Sequence, residues 1–477
     1  MIADLKPYAE YKESGLSWLG RVPGHWDVRK PRHIGSLLKG VGGTKEDALS
    51  VGVPCVRYGE LYTTHTYFVR RPKTFIHPNH ATDYTPLHYG DVLFAASGET
   101  LEEIGKSAVN LIEGTVVCGG DVIILRPTVP VHAPFLGYVM DCRPSANQKA
   151  TMGRGTTVKH IYPDELKHLL FPLPPVSEQT AIVRFLDWAN GRLERAIRAK
   201  RKVIALLGEQ KQAIIHRAVT RGLAPSLPLK PSGIPWLGEI PQHWEVRRLK
   251  FVASRIVDCL HATPHYSDSG THPAIRTADI SPGIVHVSKA KKISSTDYAR
   301  WTTRLEPAEG DILYSREGER FGIAACVPAG VRLCISQRMM AFRIATEYCP
   351  DFVMKLLNSR STYGQALQDV TGATAPHVNI STIKNYFLGM PARQEQEAIV
   401  EHVSSEVRPI EAAISRLDRE IALLREYRTR LVADVVTGKL DVRAAAVRLP
   451  DEVVPDRTGD DTDPSLDPEA ADEEATV

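Results

Sequence analysis

The chain has 477 residues, a length that predicts more than one domain. With 43% hydrophobic and 24% charged residues, its composition is that of a globular protein and excludes the disordered and fibrous classes. No run of about 18 apolar residues and no secretory signal occur, and the seven cysteines form no C-x-x-C pair, so we expect a cytoplasmic protein with free thiols. The net charge of +3 combines −10 in residues 450–477 with +13 elsewhere. The basic body suits a polyanionic partner, although a basic surface without one is equally compatible.

The first predicted domain covers residues 1–175, where short β-rich runs alternate with Gly, Pro, Ser and Thr, as is typical of an α+β fold. Residues 176–223 contain little Pro or Gly and carry apolar residues at helical spacing, which predicts a first long helical spacer. The order then repeats, with a second globular domain at 224–391 and a second helical spacer at 392–442. Residues 443–477, acidic and without aromatic residues, are predicted to be a disordered tail.

Four stretches of the chain occur twice at a nearly constant separation of 217 to 220 residues. They are SGLSWLG (14–20) with SGIPWLG (232–238), PGHWDVR (23–29) with PQHWEVR (241–247), GDVLF (90–94) with GDILY (310–314), and PPVSEQTAIV (174–183) with PARQEQEAIV (391–400). A period of this length is too long for a solenoid. The repeat therefore predicts two homologous halves arranged as a pseudo-twofold molecule that contacts its target twice.

The helical spacers carry apolar stripes separated alternately by four and three residues. In the second spacer nine of ten stripe positions are apolar, from Val403 to Val435, and the exception is Arg428. In the first spacer seven of ten are apolar, and the exceptions are Asn190, Lys200 and Lys211. Such stripes predict that the two helices pack on each other as in a coiled coil, with the polar exceptions fixing the register. The alternative is that each helix packs only on its own globule.

The spacer length has a consequence for function. Thirty to forty helical residues span roughly 45 to 60 Å, so the helices would hold the two globules at a fixed separation. If each globule reads DNA, that separation sets the number of base pairs between two half-sites. Pro409 is predicted to start or kink the second long helix, with a shorter helix from about Gln394 before it.

Sequence motifs of the relevant enzymes are absent or incomplete. The nearest match to a phosphate-binding loop, residues 100–107, has Thr100 in place of its first glycine. Residues 163–167 (PDELK) resemble a metal-dependent nuclease motif but lack its spacing, and the only Pro-Pro pair, at 174–175, is not in a base-binding clamp. Cys259, His261, His265 and His272 match no zinc spacing, so no metal site is predicted.

These features together resemble the specificity subunits of Type I restriction-modification systems. The resemblance covers residues of about 14 to 440 and rests on the tandem layout, on LPPVSEQ (173–179) and MPARQEQ (390–396), and on DCLHATP (258–264) with AIRTADI (274–280). It implies two target recognition domains joined by two antiparallel helices, each domain reading one half of a bipartite, asymmetric site in double-stranded DNA. It also implies two modification subunits that carry S-adenosylmethionine and methylate adenine, and restriction subunits that use ATP and Mg²⁺. This chain would then be non-catalytic and hold no cofactor.

Base edges in the major groove are read mainly by Arg, Asn and Gln, so polar side chains beside these strings are the candidates for DNA contact. The second domain offers Arg276, Thr277, Arg316, Gln337 and Arg338, and the first domain, which matches the motifs less well, offers Arg57 and Tyr58. For each, a surface ion pair or a phosphate contact is the competing interpretation. Arg192, Arg195, Arg198 and Lys202 on the first spacer would follow the DNA backbone, bind a partner subunit or form a solvated face.

Two other classes of function remain open at this point. Paired globules on a helical strut would also suit a non-catalytic scaffold that binds proteins. A free-standing nuclease or methyltransferase is the second alternative. DNA binding through several phosphate contacts depends steeply on salt, which separates the first alternative from a DNA reader, and turnover by the isolated chain would reveal the second.

Overall fold

The structure is a computed structural model, and it describes residues 5–43, 45–98, 100, 103–155, 159–318, 320–369 and 377–450. Its contacts divide the chain into two compact units. Unit 1 contains residues 1–200 and 419–477, and unit 2 contains residues 201–418. Each unit thus combines one globule with the start of one long helix and the end of the other. The predicted acidic segment 451–477 lies outside the described residues.

The twelve α-helices of the described residues are Tyr58–Thr63 (α1), Ala133–Asp141 (α2), Arg143–Met152 (α3), Pro163–Leu166 (α4), Val176–Arg221 (α5), Leu249–Val252 (α6), Ser295–Trp301 (α7), Pro350–Leu357 (α8), Arg360–Leu367 (α9), Ile380–Lys384 (α10), Arg393–Val436 (α11) and Arg443–Val447 (α12).

The strands that precede α5 are Tyr11–Glu13 (β1), Arg21–Pro23 (β2), Asp27–Arg29 (β3), Gly35–Lys39 (β4), Val53–Val56 (β5), Tyr67–Val69 (β6), Thr74–Ile76 (β7), Thr85–Pro86 (β8), Val92–Ala95 (β9), Ser97–Gly98 (β10), Ser107–Asn110 (β11), Val117–Cys118 (β12), Val122–Pro127 (β13), Lys159–His160 (β14) and Phe171–Leu173 (β15).

The strands between α5 and α11 are Leu229–Pro231 (β16), Glu239–Pro241 (β17), Glu245–Arg248 (β18), Ala253–Asp258 (β19), His272–Ile275 (β20), Ile280–Ser281 (β21), Ile284–Val285 (β22), Lys292–Ile293 (β23), Ile312–Ser315 (β24), Ala324–Cys326 (β25), Cys334–Ile335 (β26), Met339–Ile344 (β27) and Phe387–Met390 (β28).

The core of unit 1 lies on both faces of a five-stranded sheet of order β4-β13-β9-β11-β6. Successive side chains of a strand point to opposite faces, so a strand buried on both sides is apolar throughout. On β9, Val92 and Phe94 pack with Phe135 of α2, whereas Leu93 packs with Val56 at the end of β5. A second sheet, of order β7-β5-β12-β8, contains the parallel pair β5 and β12.

Unit 2 repeats this arrangement with a sheet of order β19-β27-β24-β25 and a second sheet of order β23-β20-β26. Ile312 and Tyr314 of β24 pack with Phe352 of α8, and Leu313 between them packs with Ile275 on the opposite face. Strands β20 and β26 are parallel, like β5 and β12 in unit 1. The mixed sheets, the long helices and the repeated order agree with the predicted fold class.

One glutamine fixes the start of each long helix to its globule in the same way. In unit 1, Gln179 accepts a hydrogen bond from the backbone of His132 and donates one to the carbonyl of Pro174, both at 2.8 Å. In unit 2, Gln396 makes the same bonds with Cys349 and Pro391, again at 2.8 Å. Both glutamine side chains are buried, so each helix leaves its globule in a direction fixed by satisfied polar groups.

The predicted helix pairing is confirmed within each unit, and the polar exceptions in the stripes form interhelical contacts. In unit 1 Arg428 contacts Glu194 at 3.2 Å and Lys200 contacts Glu420, which makes these helix segments antiparallel. In unit 2 Lys211 contacts Glu411 at 2.6 Å. Every predicted stripe position is buried or partly buried. Among the polar stripe residues, Asn190 contacts the globule instead of the other helix, because its amide donates to the Tyr138 hydroxyl at 3.2 Å.

The prediction that Pro409 starts the second long helix, after a shorter helix from about Gln394, is wrong, because α11 begins at Arg393 and Pro409 lies inside it. The alternative, that Pro409 kinks this helix, stays a prediction. Proline removes one backbone donor from a helix and crowds the preceding turn. Val403, Val407 and Ile410 are nevertheless buried on both sides of the proline, so the apolar stripe continues through it. Packing of this stripe holds the helix together where local preference would end it.

Ordered structure extends past the predicted start of the tail at residue 443. Helix α12 covers Arg443–Val447, and Ala446 and Leu449 are buried in unit 1. The beginning of the chain lies beside it, because the backbones of Lys6 and Asp441 form a β-bridge. The apolar residues Ala446 and Leu449 therefore extend the core of unit 1 beyond the predicted boundary at residue 443.

Candidate nucleic-acid interface

The predicted DNA-contact residues of unit 2 lie together at one edge of its smaller sheet. Strands β20 and β26 are parallel, so the residues that follow them meet at the same edge. The backbone of Ser336, after β26, donates to the carbonyl of Ile275 at 2.9 Å, which brings Gln337 and Arg338 next to Arg276 and Thr277. The backbone of Arg316 donates to the carbonyl of Arg338 at 3.0 Å. All five predicted residues are therefore neighbours.

Two of these arginines already have carboxylate partners in the chain. The Arg276 guanidinium contacts the Asp279 carboxylate through Nε at 3.0 Å and Nη2 at 3.1 Å, and Asp279 is buried. Arg316 is 7% exposed and pairs with Glu317, while its Nε lies 3.6 Å from Asp258. Bidentate and buried pairs of this kind hold loops in shape. A base contact by either arginine stays a prediction and would require its ion pair to open.

Arg338 is the most exposed of the predicted residues in unit 2. Its side chain is 51% exposed, and its Nε lies 4.0 Å from Glu317. Its φ of +66° lies in the left-handed region, which only Tyr67 shares among the non-glycine residues of the described chain. This backbone costs of order 1 kcal/mol for a residue with a Cβ, and such strain clusters at functional sites. Arg338 is therefore the strongest candidate in unit 2.

The remaining predicted residues of unit 2 are polar and partly buried. The Gln337 amide donates to the Thr263 hydroxyl at 2.7 Å, so the DCLHATP string (258–264) lies against the loop after β26. Thr277 is partly buried in the turn that follows Arg276. Both side chains are placed to support or extend the surface around Arg338.

The equivalent loop of unit 1 differs in its electrostatics. Arg57 follows β5 as Arg276 follows β20, but Nε and Nη2 of Arg57 are buried and have no hydrogen-bond partner among the described residues. Glu60, at the position of Asp279, instead accepts bonds from the Lys73 backbone at 3.1 Å and from the Thr74 hydroxyl. The hydrogen bonds that Glu60 accepts from His65 and Thr74 hold its pKa below the usual range, against the effect of burial. Within the described part of the chain, Nε and Nη2 of Arg57 are thus unused donors.

Tyr58, the second candidate in unit 1, is the first residue of α1 and is partly buried. Its ring lies 6.1 Å from the ring of Tyr62, one turn along the helix. Burial raises the pKa of the neighbouring Cys55 thiol to about 11, although Arg57 acts in the opposite direction. The end of β5 and the start of α1 therefore bring together a buried neutral thiol, an arginine and an aromatic pair.

Asp258, Cys259 and His261 each bring a potential metal-ligand atom within 4.8 Å of the others. Contacts within the chain account for this cluster. His261 Nε2 lies 2.9 Å from the Asp258 carboxylate, and the Arg316 guanidinium faces the same carboxylate. Burial raises the pKa of the Cys259 thiol, which disfavours the thiolate that a metal would need. His265 and His272, the other residues of the sequence cluster, are not in this group.

The predicted basic residues Arg192, Arg195, Arg198 and Lys202 are all exposed on α5. The Arg192 guanidinium lies over the Trp188 ring, 5.2 Å from its centroid. None of these side chains belongs to the apolar stripe that packs on α11. Their position is compatible with contact to an anionic partner and equally with solvent.

The sequence interpretation missed Asp91 and Asp311, although both occur in the repeated GDVLF and GDILY strings. Asp91 pairs with Arg126 at 2.7 Å and Asp311 pairs with Arg343 at 2.6 Å, and both carboxylates are buried. Their identity in the two halves was the available signal. Each pair links the residue before one strand of the larger sheet to a neighbouring strand, β9 to β13 in unit 1 and β24 to β27 in unit 2.

No protein-family model matches the chain. It is 21% identical over 439 residues to the EcoKI specificity subunit, a Type I restriction enzyme subunit of Escherichia coli K12, covering 88% of this chain and 90% of that protein. It is also 22% identical over 447 residues to the MjaVIII specificity subunit of Methanocaldococcus jannaschii, covering 91% of this chain and 97% of that protein. The chain is thus similar to Type I specificity subunits over nearly its whole length.

A solved structure described as the basis for complex assembly and conformational transition of the Type I restriction-modification system has the same fold. Its TM-score is 0.61 at 17% identity, and the match covers 88% of this chain and 99% of that one. The predicted resemblance is confirmed. Among the described residues, no helix has both the length and the apolar character needed to cross a bilayer.

Proposed function

We propose that this chain is the DNA-recognition subunit of a Type I restriction-modification complex. It reads a bipartite, asymmetric site in double-stranded DNA, one half-site per unit, and directs adenine methylation or cleavage by other subunits. The observation that carries this proposal is the similarity to the EcoKI specificity subunit over 88% of the chain, which takes in most of both globules. The chain itself performs no catalysis.

The partners follow from the same role. Two modification subunits would supply S-adenosylmethionine and the methyl-transfer site, and restriction subunits would use ATP and Mg²⁺ to translocate and cleave. Two modification subunits suit a chain that presents the same fold twice. The complex would act in the cytoplasm, where it meets chromosomal and incoming DNA.

Within unit 2, Arg338 would provide the main base contact, because it is exposed and its left-handed backbone is held in place. Arg57 would have this role in unit 1, after a small movement that turns its unused donors outwards. Arginine reads guanine through two hydrogen bonds, and one such contact discriminates between bases by about 1–3 kcal/mol.

Genome-wide mapping of methylated adenines tests the proposal. In a host that contains the whole system, a two-part methylated motif is expected, and it should disappear when this chain is deleted. A map that does not change on deletion would overturn the proposal. R338G, which preserves the left-handed backbone, should relax one half of the motif, whereas R332A, at an exposed arginine paired with Glu306, should leave it unchanged.

Salt dependence separates DNA recognition from a protein scaffold. Binding of the assembled complex to its target should weaken by about 10³-fold or more between about 50 and 200 mM salt if six to ten phosphates are contacted. A flat response would favour the scaffold interpretation.

A further inference from the structure

Lys291 lies at the same edge of the smaller sheet in unit 2 as the candidate DNA contacts. Strand β23 runs antiparallel to β20, so the residues that precede β23 lie at the edge where β20 ends. The backbone N–H of Ala274 donates to the carbonyl of Lys291 at 2.9 Å. Since Arg276 is only two residues beyond Ala274, Lys291 lies beside the loops that carry Arg276 and Arg338.

The ring of Tyr266 supports the Lys291 side chain. Lys291 Nζ lies 5.1 Å from the ring centroid, which is the geometry of a cation–π contact. Tyr266 is held at two points, because its backbone forms a β-bridge with Ile293 and its hydroxyl lies 2.9 Å from Ser336 Oγ. Ser336 is buried and lies two residues before Arg338. The position of the ammonium is therefore tied to the loop that presents Arg338.

The Lys291 ammonium keeps its charge and its hydrogen-bond donors for a ligand. Its side chain is exposed and forms no ion pair with a residue that the structure describes. An aromatic ring attracts a cation without neutralising its charge, and an ammonium has three N–H donors. The carboxylates of the neighbouring loops have other partners, since Asp279 pairs with Arg276 and Glu317 pairs with Arg316. A compact cation of this kind suits a phosphate oxygen.

The next residue, Lys292, is also exposed but points in a different direction. Successive side chains of a strand point to opposite faces. Ile293 packs in the same apolar cluster as Tyr266, so Lys291 shares that face of the sheet and Lys292 points away from it. The two adjacent lysines therefore differ in their relation to the candidate loops.

The fold does not require a cation at this position. Strand β7 of unit 1 pairs with β5 as β23 pairs with β20, in the register that puts Thr74 where unit 2 has Lys291. The Thr74 hydroxyl donates to Glu60 of its own unit. A neutral residue thus supports the equivalent sheet, so a structural need does not explain the lysine of unit 2.

We propose that Lys291 binds a DNA phosphate beside the bases that the loops of unit 2 read. The inference rests on the proposed function, because it takes DNA as the ligand. A phosphate contact carries no base information but fixes the position of a protein along the duplex. Lys291 would thus align Arg338 with its base, and unit 1 would make no equivalent contact at Thr74.

Binding to a duplex that carries the mapped methylation motif tests this contact, with the full chain assembled with its modification subunits. K291Q should weaken binding by about tenfold at about 50 mM salt and lower the slope of log affinity against log salt by roughly 0.9, because one phosphate contact is lost. K291R, which keeps the charge, should retain most of the affinity and the slope. K292Q, with the same change of net charge one residue away, should behave as the wild type.

A methylation map separates positioning from base recognition. K291Q should lower the extent of methylation and leave both halves of the motif unchanged, because a phosphate contact reads no base. R338G should instead relax one half of the motif. A motif that changes in K291Q would contradict the assignment of Lys291 to a phosphate.

The same binding measurements distinguish failure of this inference from failure of the proposed function. Circular dichroism verifies that each variant folds. Wild-type binding with an unchanged affinity and slope in K291Q, or equal losses in K291Q and K292Q, would overturn the inference alone. A wild-type complex that does not bind the duplex would overturn the proposed function and the inference with it.

Discussion

The two units support the same backbone position with different chemistry. In unit 2 the side chain of Asn358 bonds to both backbone groups of Ala324, accepting from its N–H at 2.9 Å and donating to its carbonyl at 2.8 Å. In unit 1 the corresponding residues are Asp141 and Ser107, and the carboxylate accepts from the Ser107 N–H at 3.0 Å. An amide side chain can satisfy both the backbone N–H and the backbone carbonyl at this position. An ionised carboxylate has no hydrogen to donate, so it leaves the carbonyl without a partner from this side chain.

Two lysines compensate for the charge in unit 1. Lys106 donates to Asp141 at 2.6 Å, and the fully buried Lys149 donates to the Ser107 hydroxyl and to the Met140 carbonyl, each at 2.9 Å. The residue of unit 2 that corresponds to Lys149 is the buried Ala366. The same fold can therefore support this backbone position with a neutral amide or with a carboxylate. The carboxylate requires both lysines, because a partly satisfied buried ion network is costly.

Removal of the buried Lys149 ammonium should have the largest effect on the stability of unit 1. K149A leaves Asp141 with only one cation and opens a cavity, so we expect unit 1 to lose about 3–5 kcal/mol of stability. Hydrogen exchange of peptides from β11 and α2 measures this loss, with unit 2 as an internal reference. The double variant D141N/K149A imitates unit 2 and should be more stable than K149A. Equal loss in both variants would contradict the charge-compensation account.

The same lysine should give unit 1 a stability that depends on pH. Burial lowers the pKa of Lys149 to about 8, from an ordinary value of 10.5. Between these two pH values the unfolded chain retains the proton that the native chain has lost, so native stability rises with pH. The stability of the wild type relative to K149M should therefore increase by up to roughly 3 kcal/mol from pH 8 to 10.5. A constant difference over this range would show that Lys149 is not desolvated.

The converse substitution, an acid for the amide in unit 2, should reduce stability by less than K149A does in unit 1. N358D replaces a donor with a carboxylate oxygen that faces the Ala324 carbonyl, and we expect a loss of about 2 kcal/mol at pH 7. The loss should shrink as the pH falls and the new carboxyl group regains a proton that it can donate. Urea denaturation followed by hydrogen exchange in β25 measures it. A loss of stability that does not change with pH would contradict this explanation and indicate that the substitution acts through packing.

The smallest predicted effect concerns the start of the long helices. In unit 2 Glu395 accepts from His243 at 2.8 Å and from the Trp244 indole at 3.0 Å. In unit 1 Glu178 accepts from His25 at 2.8 Å and from the hydroxyl of Tyr8. Y8F should therefore destabilise unit 1 by about 1 kcal/mol in denaturant unfolding. W244F should cause a similar loss in unit 2, and an unchanged midpoint for both would contradict the role of these bonds.

The duplication and the helical stripes could be predicted from the sequence because both are periodic signals. The ion pair of Arg276 could also have been anticipated, since Asp279 follows at a short spacing. Arg57 and Glu60 have the same spacing but do not pair, because Glu60 is engaged by Lys73 and Thr74 from farther along the chain. Contacts of that range depend on the folded arrangement and cannot be obtained from local spacing.

Helix α11 is a second case in which tertiary contacts, and not the local sequence, determine the structure. The local preference of Pro409 predicts a break, but the helix continues because Val407 and Ile410 bury the stripe around it. Packing outweighs local preference wherever the buried area on both sides is large. For the candidate interface, the sequence strings identified loops that lie together in unit 2, and their contact with DNA stays a prediction, while the exposure of individual arginines required the structure.

Exchange of one target-reading segment tests the central claim most directly. Residues 246–391 would be replaced by the corresponding segment of a specificity subunit with a different known target, and methylated adenines would be mapped with the other subunits unchanged. The account predicts that one half of the motif changes to that of the donor while the other half stays. A motif that changes in both halves, or in neither, would contradict it.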